Sequence, residues 1–158
     1  MTGIGLKHIE NEYSDFDRDR LLIYMVSNEG PPLAVKDLNK DGLEDIILGG
    51  STGNATQIAY QKPNGRFSVS PLKASIPNAI MEDSDILIED FDNDGLLVIY
   101  VSGGSSELPA TSSGLKDRIY FGSTGGFIEK PAQFNSVYGA TSAVVGMDMD
   151  DDGDKDIF

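Results

Sequence analysis

A nine-residue acidic pattern occurs three times in the chain, and it constrains the fold more than any other feature. The copies begin at Asp37, Asp90 and Asp148, align without gaps, and start 53 and 58 residues apart. Each copy has an acidic or amide residue at positions 1, 3 and 5 and a glycine at position 6. A period of this length is typical of proteins that repeat one supersecondary unit.

Strand-like sequence surrounds each copy. Alternating apolar residues precede the pattern, and a short apolar run follows it, closed by a glycine pair at 49–50 and again at 103–104. Two further segments, 57–61 and 118–121, turn through glycine-containing stretches into Phe67 and Phe127. Four short strands per period predict a four-stranded antiparallel meander, which is the blade of a β-propeller. We therefore expect an all-β fold of β-propeller-type blades with about three repeats.

The repeats divide the chain. We predict a leader over 1–32, a first repeat over 33–89, a second repeat over 90–147 with an inserted loop at 105–114, and a truncated third repeat over 148–158. Strand 1 of each blade comes just before its acidic loop. The leader has a capping Ser14 followed by acidic, then basic and apolar residues, which predicts a short helix over 14–22. The insert is expected on the face opposite the acidic loops, as a contact loop or a solvated spacer.

The third repeat stops soon after its acidic stretch, which would leave sheet edges exposed. We therefore expect the chain to be a fragment of a larger propeller. Either the leader pairs as an edge strand with the third repeat, or a second copy of the chain covers the edge and forms a homodimer.

The chain is strongly acidic. It has 12 Lys and Arg against 26 Asp and Glu, a formal net charge of −14, and half of its acidic residues lie in the three copies. This charge repels nucleic-acid backbones, and no apolar run is long enough for a membrane helix. We therefore expect neither nucleic-acid binding nor membrane insertion. Cysteine is absent, which excludes disulfides and thiolate chemistry.

The spacing of the acidic pattern fits an oxygen cage for a hard cation. Carboxylates or amides at positions 1, 3 and 5 can turn inward together, the glycine permits the sharp turn, and position 7 can offer its backbone carbonyl. Ca²⁺ suits such a set better than Mg²⁺, which demands octahedral geometry, and no His, Cys or Met recurs to favour a transition metal. An EF-hand is disfavoured because it needs an acid at position 12, where Leu48 and Val101 stand.

The pattern D-x-[DN]-x-D-G-x-x-D, followed by a short apolar strand and Gly-Gly, resembles the FG-GAP or VCBS repeat of integrin α-subunit propellers and bacterial secreted proteins. The resemblance covers 33–158, and 10–31 resembles a leader segment of the bacterial UnbV/ASPIC-type subgroup. The resemblance implies Ca²⁺ as the ion. It also implies these ligands: Asp37, Asn39, Asp41, the Leu43 carbonyl and Asp45 in the first loop; Asp90, Asp92, Asp94 and the Leu96 carbonyl in the second; Asp148, Asp150, Asp152, the Asp154 carbonyl and Asp156 in the third.

The second loop departs from this pattern. Val98 stands at position 9, where the first and third loops have Asp45 and Asp156. We expect the affinity for Ca²⁺ to fall in the order first loop, third loop, second loop.

Sequence features of an enzyme are sparse. His8 has no identifiable partner, no Gly-x-Ser-x-Gly elbow occurs, and only the acid run 82–85 is a candidate for a glycosidase pair. We interpret Lys116 and Arg118 as rim charges. Four aromatic residues are assigned to equivalent blade positions, where they pack between blades or offer a carbohydrate-stacking platform: Tyr60, Phe67, Tyr120 and Phe127.

These features predict a calcium-stabilised, non-catalytic binding, adhesion or scaffold module of an exported bacterial protein. Its location would be extracellular, periplasmic or the cell surface, its signal peptide would lie outside this chain, and its ligand would be a protein or a carbohydrate. The alternative is a propeller portion of a polysaccharide-active enzyme whose catalytic residues lie outside this chain. An acid pair with raised pKa in a cleft would favour the enzyme, and a flat loop-rich face would favour the binding module.

Overall fold

Short β-strands make up most of the regular structure. The computed structural model describes residues 3–10, 12–17, 20–21, 23–24, 27, 30–75, 80–130 and 139–158. Two single-turn 3-10 helices lie in these ranges, at Asp15–Asp17 and Ser113–Leu115. The strands are β1 (Leu33–Lys36), β2 (Asp45–Leu48), β3 (Gln57–Gln61), β4 (Phe67–Pro71), β5 (Asp83–Glu89), β6 (Val98–Gly103), β7 (Arg118–Ser123), β8 (Gly126–Lys130), β9 (Gly146–Met147) and β10 (Asp156–Ile157). No helix in the described ranges is long and apolar enough to cross a membrane.

The strands form two four-stranded antiparallel sheets and one hairpin. The sheet orders are β1-β2-β3-β4 and β5-β6-β7-β8, and β9 pairs with β10. Each sheet is a simple meander because every strand pairs with the next one in sequence. The three acidic loops occupy the equivalent connections β1–β2, β5–β6 and β9–β10. The predicted all-β fold of propeller-type blades is confirmed, with the described sheets not closed into a ring.

The hydrophobic core lies between the two sheets. One face of the first sheet contributes Ile47 and Ile58, which are paired across β2 and β3. One face of the second sheet contributes Ile99 and Tyr120, which are paired across β6 and β7. Face-to-face packing of successive meanders is how propeller blades bury their apolar surface.

The first strands of the two sheets, β1 and β5, are also linked directly. Lys36 on β1 donates from Nζ to the Ile88 carbonyl oxygen (2.8 Å) and to Glu89 Oε2 (3.2 Å). Both acceptors lie on β5. These contacts hold the first strands of the two blades side by side, which brings their acidic loops together at one end of the sheets.

The predicted equivalence of Tyr60 with Tyr120 is wrong. Ile46 and Ile99 are equivalent because each directly follows position 9 of its acidic pattern. Their partners on the next strand are Ala59 and Tyr120, respectively. Tyr120 therefore occupies the core position that Ala59 fills in the first sheet, and both residues are fully buried. The observed register differs from the predicted equivalence by one residue, and a shift of one residue moves a side chain to the other face of a strand. The aromatic residues do pack between the blades, as predicted, for Tyr60, Tyr120 and Phe127.

Arg118 is not a rim charge. Only 3% of its surface is exposed, and its Nη2 forms an ion pair with Asp83 at the start of β5. Arg118 also donates from Nη1 to the Tyr120 hydroxyl (3.3 Å). A buried guanidinium requires such partners, because an unpaired charge is costly away from water.

The leader lies against the first sheet. The Gln57 side chain donates from Nε2 to the Lys7 carbonyl oxygen (3.2 Å), and the Ser51 hydroxyl donates to the Ile9 carbonyl oxygen (2.5 Å). The hairpin of β9 and β10 has two strands. The predicted strand pairing between the leader and the third repeat is therefore absent from the residues that the structure describes, and the homodimer stays a prediction.

The leader also contacts the insert. A single 3-10 turn at Asp15–Asp17 stands within the helix predicted over 14–22, of which 18, 19 and 22 lie outside the described residues. The Asp15 carboxylate is 2% exposed and accepts hydrogen bonds from the Ser106 hydroxyl (2.6 Å) and the Ser27 amide (2.7 Å). The insert is thus docked on the leader and is not a freely solvated spacer.

Candidate metal sites in the acidic loops

The three acidic loops share one backbone conformation. Position 4 has a positive φ in every loop, at Lys40 (59°), Asn93 (54°) and Asp151 (62°). Position 6 also has a positive φ in each, between 85° and 95°, and is always glycine. Residues other than glycine are uncommon at positive φ. Two left-handed residues in each short loop produce the sharp turn that the glycine at position 6 predicted.

Carboxylates at positions 1 and 5 fold inward onto the loop backbone. The position-6 amide donates to the position-1 carboxylate in all three loops, at 2.8, 2.9 and 3.0 Å. The position-7 amide donates to the position-5 carboxylate at 2.9, 2.6 and 2.9 Å. These bonds fix one oxygen of each acid. The residues that supply them are Asp37 and Asp41, Asp90 and Asp94, and Asp148 and Asp152.

The acid at position 9 closes the loop. Asp45 accepts from the Leu38 amide at position 2 (3.1 Å), and Asp156 accepts from the equivalent Met149 amide (3.0 Å). Asp45 is fully buried and accepts a second hydrogen bond from the Gln61 amide (2.8 Å) on β3. Burial raises the pKa of Asp45, while the two backbone hydrogen bonds oppose that increase. Val98 cannot make this closure in the second loop.

Acidic groups converge in the second and third loops. Among the described residues, carboxylate oxygens of Asp90, Asp92 and Asp94 lie within 4.8 Å of one another, as do those of Asp148, Asp150 and Asp156. Asp152 is outside the second of these groups. Oxygen donors at this separation suit a hard cation rather than a thiophilic metal.

Two of these acids have an oxygen with no partner. Oδ1 of Asp90 and Oδ1 of Asp148 are buried and accept no hydrogen bond from the described residues. A buried carboxylate oxygen without a donor is costly, because it has lost water and gained nothing. Both atoms belong to position 1 of loops in which three acids converge, so the donor set fits a bound cation.

The first loop is arranged differently. Its position 3 is Asn39, whose amide donates from Nδ2 to Asp41 Oδ2 (3.1 Å), and Asp37 Oδ1 accepts from the Asp41 amide (3.1 Å). The loop is therefore satisfied by its own hydrogen bonds. Leu43, Leu96 and Asp154, which were predicted to offer carbonyl ligands, each follow the left-handed glycine, at the point where the chain leaves the turn.

Contacts between consecutive loops were not predicted. Lys40 donates from Nζ to the Gly95 carbonyl oxygen, and Asn93 donates from Nδ2 to the Gly153 carbonyl oxygen (2.7 Å). The Lys155 amide donates to the Phe91 carbonyl oxygen (2.9 Å). The sequence does hold a signal for the first two contacts, since both donors stand at position 4 of their pattern.

A cavity of about 370 Å³ lies among the leader, the start of β5 and the insert. Glu10, Glu82 and Glu107 line it, together with serine residues of the insert. Burial raises the pKa of Glu82, and the charges of Glu107 and Glu10 add to the increase. Thr52 donates two hydrogen bonds to Glu82, through its amide (2.9 Å) and its hydroxyl (3.1 Å). These bonds favour the ionised form of Glu82 and therefore oppose the increase in its pKa.

These features define a class of protein: an all-β repeat protein of propeller-type blades, with an acidic loop of constant conformation between the first two strands of each repeat. Comparison with known protein families matches residues 37–101 to the FG-GAP-like repeat. The match begins at position 1 of the first acidic loop and runs through the second loop into β6. The chain matches no curated protein and no solved structure. The repeat and the blades together suggest a β-propeller-type binding or scaffold module.

Proposed function

We propose that this module is stabilised by Ca²⁺ bound in its acidic loops and that it has no catalytic activity of its own. The observation that carries the proposal is the pair of buried oxygens without a donor, Asp90 Oδ1 and Asp148 Oδ1. Each belongs to a group of three acids that lie within 4.8 Å of one another. In each loop a Ca²⁺ ion would contact the buried oxygen and offset most of the negative charge of the three acids.

Electrostatic repulsion supports a structural role for the ion. Two carboxylate charges about 5 Å apart repel by roughly 3 kcal/mol at an effective dielectric constant of 20. The second and third loops each hold three such pairs. Ca²⁺ suits these loops because it takes several carboxylate and carbonyl oxygens in flexible geometry, whereas Mg²⁺ prefers to keep its waters.

Loops of this kind would bind Ca²⁺ in an exported protein. The acids that converge in the second and third loops are half-buried or exposed, and the second loop has three carboxylates where the third has four. Low charge count and open access weaken Ca²⁺ affinity toward the 10⁻⁴–10⁻³ M range of extracellular modules. We propose an extracellular, periplasmic or surface location in a bacterium, within the UnbV/ASPIC-type subgroup, with binding, adhesion or scaffolding of a protein or carbohydrate as the role.

Calorimetric titration of the full chain tests the metal assignment. We expect Ca²⁺ to bind with a measurable heat and Mg²⁺ to bind more weakly. Asp90→Ala and Asp148→Ala should each remove one site, whereas Asp17→Ala, an exposed acid outside the loops, should remove none. Equal affinity for the two ions, or unchanged stoichiometry in both loop variants, would contradict the assignment.

A second candidate function, a part in polysaccharide breakdown, is favoured by one observation. Glu82 has a raised pKa and lines a cavity with Glu10 and Glu107, the kind of arrangement from which glycosidases draw an acid and a base. Its neighbour in the acid run, Asp83, is already paired with Arg118. Hydrolysis of a polysaccharide panel that is lost in Glu82→Gln and retained in Glu12→Gln would select this candidate.

A further inference from the structure

One contact repeats between consecutive acidic loops. At the first junction Lys40 donates to the carbonyl oxygen of Gly95, and at the second Asn93 donates to that of Gly153 at 2.7 Å. In both cases the donor is position 4 of one loop and the acceptor is position 6 of the next. An ammonium and a carboxamide thus make the same connection 53 residues apart in sequence.

The backbone conformation is the same at both donors. Lys40 has φ of 59° and Asn93 has φ of 54°. Asparagine tolerates this region well and lysine does so less readily, so the conformation is imposed by the loop and not by the side chain. Position 4 is left-handed in all three loops, and in the first and second loops its side chain donates to the loop that follows.

The contacted peptide group is held from both sides. The Gly95 carbonyl and the Leu96 amide belong to one planar peptide unit. Lys40 holds its oxygen, and Asp94 Oδ1 holds its N–H at 2.6 Å. In the third loop Asn93 holds the Gly153 oxygen, and Asp152 Oδ1 holds the Asp154 N–H at 2.9 Å. The next carbonyl along the chain, at position 7, is the one that the proposed Ca²⁺ sites would use.

We infer that Lys40 and Asn93 are positioning residues that couple metal binding between neighbouring loops. The inference rests on the proposed binding of Ca²⁺. When an ion orders one loop, the donor at position 4 of that loop holds the position-6 peptide of the next loop in place. Binding of an ion to the next loop then costs less conformational entropy. The coupling is reciprocal, because each ion must favour the other by the same factor. The first loop is coupled to the second through Lys40, and the second to the third through Asn93.

The amide resonances of Gly42, Gly95 and Gly153 report the three loops separately, since each amide donates to the position-1 acid of its own loop. We would follow them by NMR in the full chain during a Ca²⁺ titration. Asp41→Ala, which removes an acid that the sequence predicts as a first-loop ligand, should weaken binding at the second loop roughly fivefold or more if the loops are coupled. In a Lys40→Met background the same change should leave the second loop unaffected.

Four comparisons complete the test. Lys40→Arg keeps a donor and should retain the coupling, whereas Lys73→Met, an exposed lysine outside the loops, should behave as wild type. Asn93→Asp keeps a side chain that tolerates positive φ but removes the donor, and it should uncouple Gly153 from Gly95. In metal-free protein, Lys40→Met should shift the Gly95 and Leu96 amide resonances, although the substitution lies in another loop.

The outcomes separate the inference from the proposal beneath it. If the three glycine resonances respond to Ca²⁺ but Asp41→Ala leaves the second loop unchanged, the coupling is overturned and calcium binding stands. If no loop resonance responds to Ca²⁺, both are overturned. Equal coupling in wild type and Lys40→Met would overturn the role of Lys40.

Discussion

Asp83 on β5 and Arg118 on β7 form an ion pair in which the two side chains are 1% and 2% exposed. The second Asp83 oxygen accepts hydrogen bonds from the Gly50 amide (2.7 Å) and the Thr56 hydroxyl (2.5 Å) of the first repeat. One carboxylate therefore joins the two blades at the end of the sheets opposite the acidic loops. These three donors satisfy a group that would otherwise be expensive to bury.

Removing one partner of this pair should be strongly destabilising. We expect Asp83→Ala to lower the free energy of unfolding by about 3–5 kcal/mol, because Arg118 would stay buried without a counter-charge. Urea unfolding measures the change. Adding Arg118→Met should restore part of the loss, since no charge then remains buried. Strictly additive losses in the double variant would show that the two side chains do not interact.

Residue spacing predicted the loops and blades well but could not reveal the Asp83–Arg118 pair. Strands β1 to β8 follow from alternating apolar residues and glycine turns, which are local signals. The partner of a buried charge is set by tertiary packing, and Arg118 lies 35 residues beyond Asp83. The prediction of Arg118 as a rim charge is wrong because a surface arginine and a buried one look alike in sequence.

The packing of the leader is not visible in the sequence for a related reason. Its contacts with Gln57 and Ser51 pass through its backbone carbonyl groups, which carry no residue-specific signal. By contrast, the position-4 donors Lys40 and Asn93 were visible in the aligned pattern. Their contacts depend on the packing of the loops side by side, which the pattern does not specify.

Restoring the position-9 acid in the second loop should strengthen its metal site. Val98→Asp supplies the missing carboxylate, and we expect roughly tenfold tighter Ca²⁺ binding there because affinity follows ligand charge. Val98 pairs with Glu89 across β5 and β6, so the new acid should also destabilise the metal-free protein. Calorimetric titration and metal-free urea unfolding measure the two effects.

Val98→Asn is the matched control, since it adds an oxygen without a charge. It should give a smaller gain in affinity and a smaller loss of metal-free stability. If Asn and Asp behave alike, ligand charge is not what limits the second loop.

Glu82 should make the protein less stable as the pH rises. Its pKa is raised above the ordinary value of 4.5, so the folded state binds the proton more tightly than the unfolded chain does. Its contribution to the unfolding free energy is therefore largest below pH 4.5 and declines as the pH passes through the raised pKa. Glu82→Gln keeps an acceptor for Thr52 and removes this decline.

The unfolding free energy of Glu82→Gln relative to wild type should thus increase between pH 4 and pH 8, as measured by urea unfolding in steps of pH. The exposed Glu12→Gln variant, measured in the same way, serves as the control. A difference for Glu82→Gln that does not change with pH would mean that the folded state does not perturb this acid.

The most direct test of calcium stabilisation is the melting temperature of the full chain, measured calorimetrically in excess Ca²⁺ and again in excess chelator at the same ionic strength. A site that binds only the folded state adds about 2.7 kcal/mol at a hundredfold excess of ion over the dissociation constant. We expect a clearly higher melting temperature in Ca²⁺, a smaller increase in Mg²⁺, and a reduced increase in Asp90→Ala and Asp148→Ala. Identical melting in Ca²⁺ and in chelator would contradict the account, because the acidic loops would then be stable turns that need no ion.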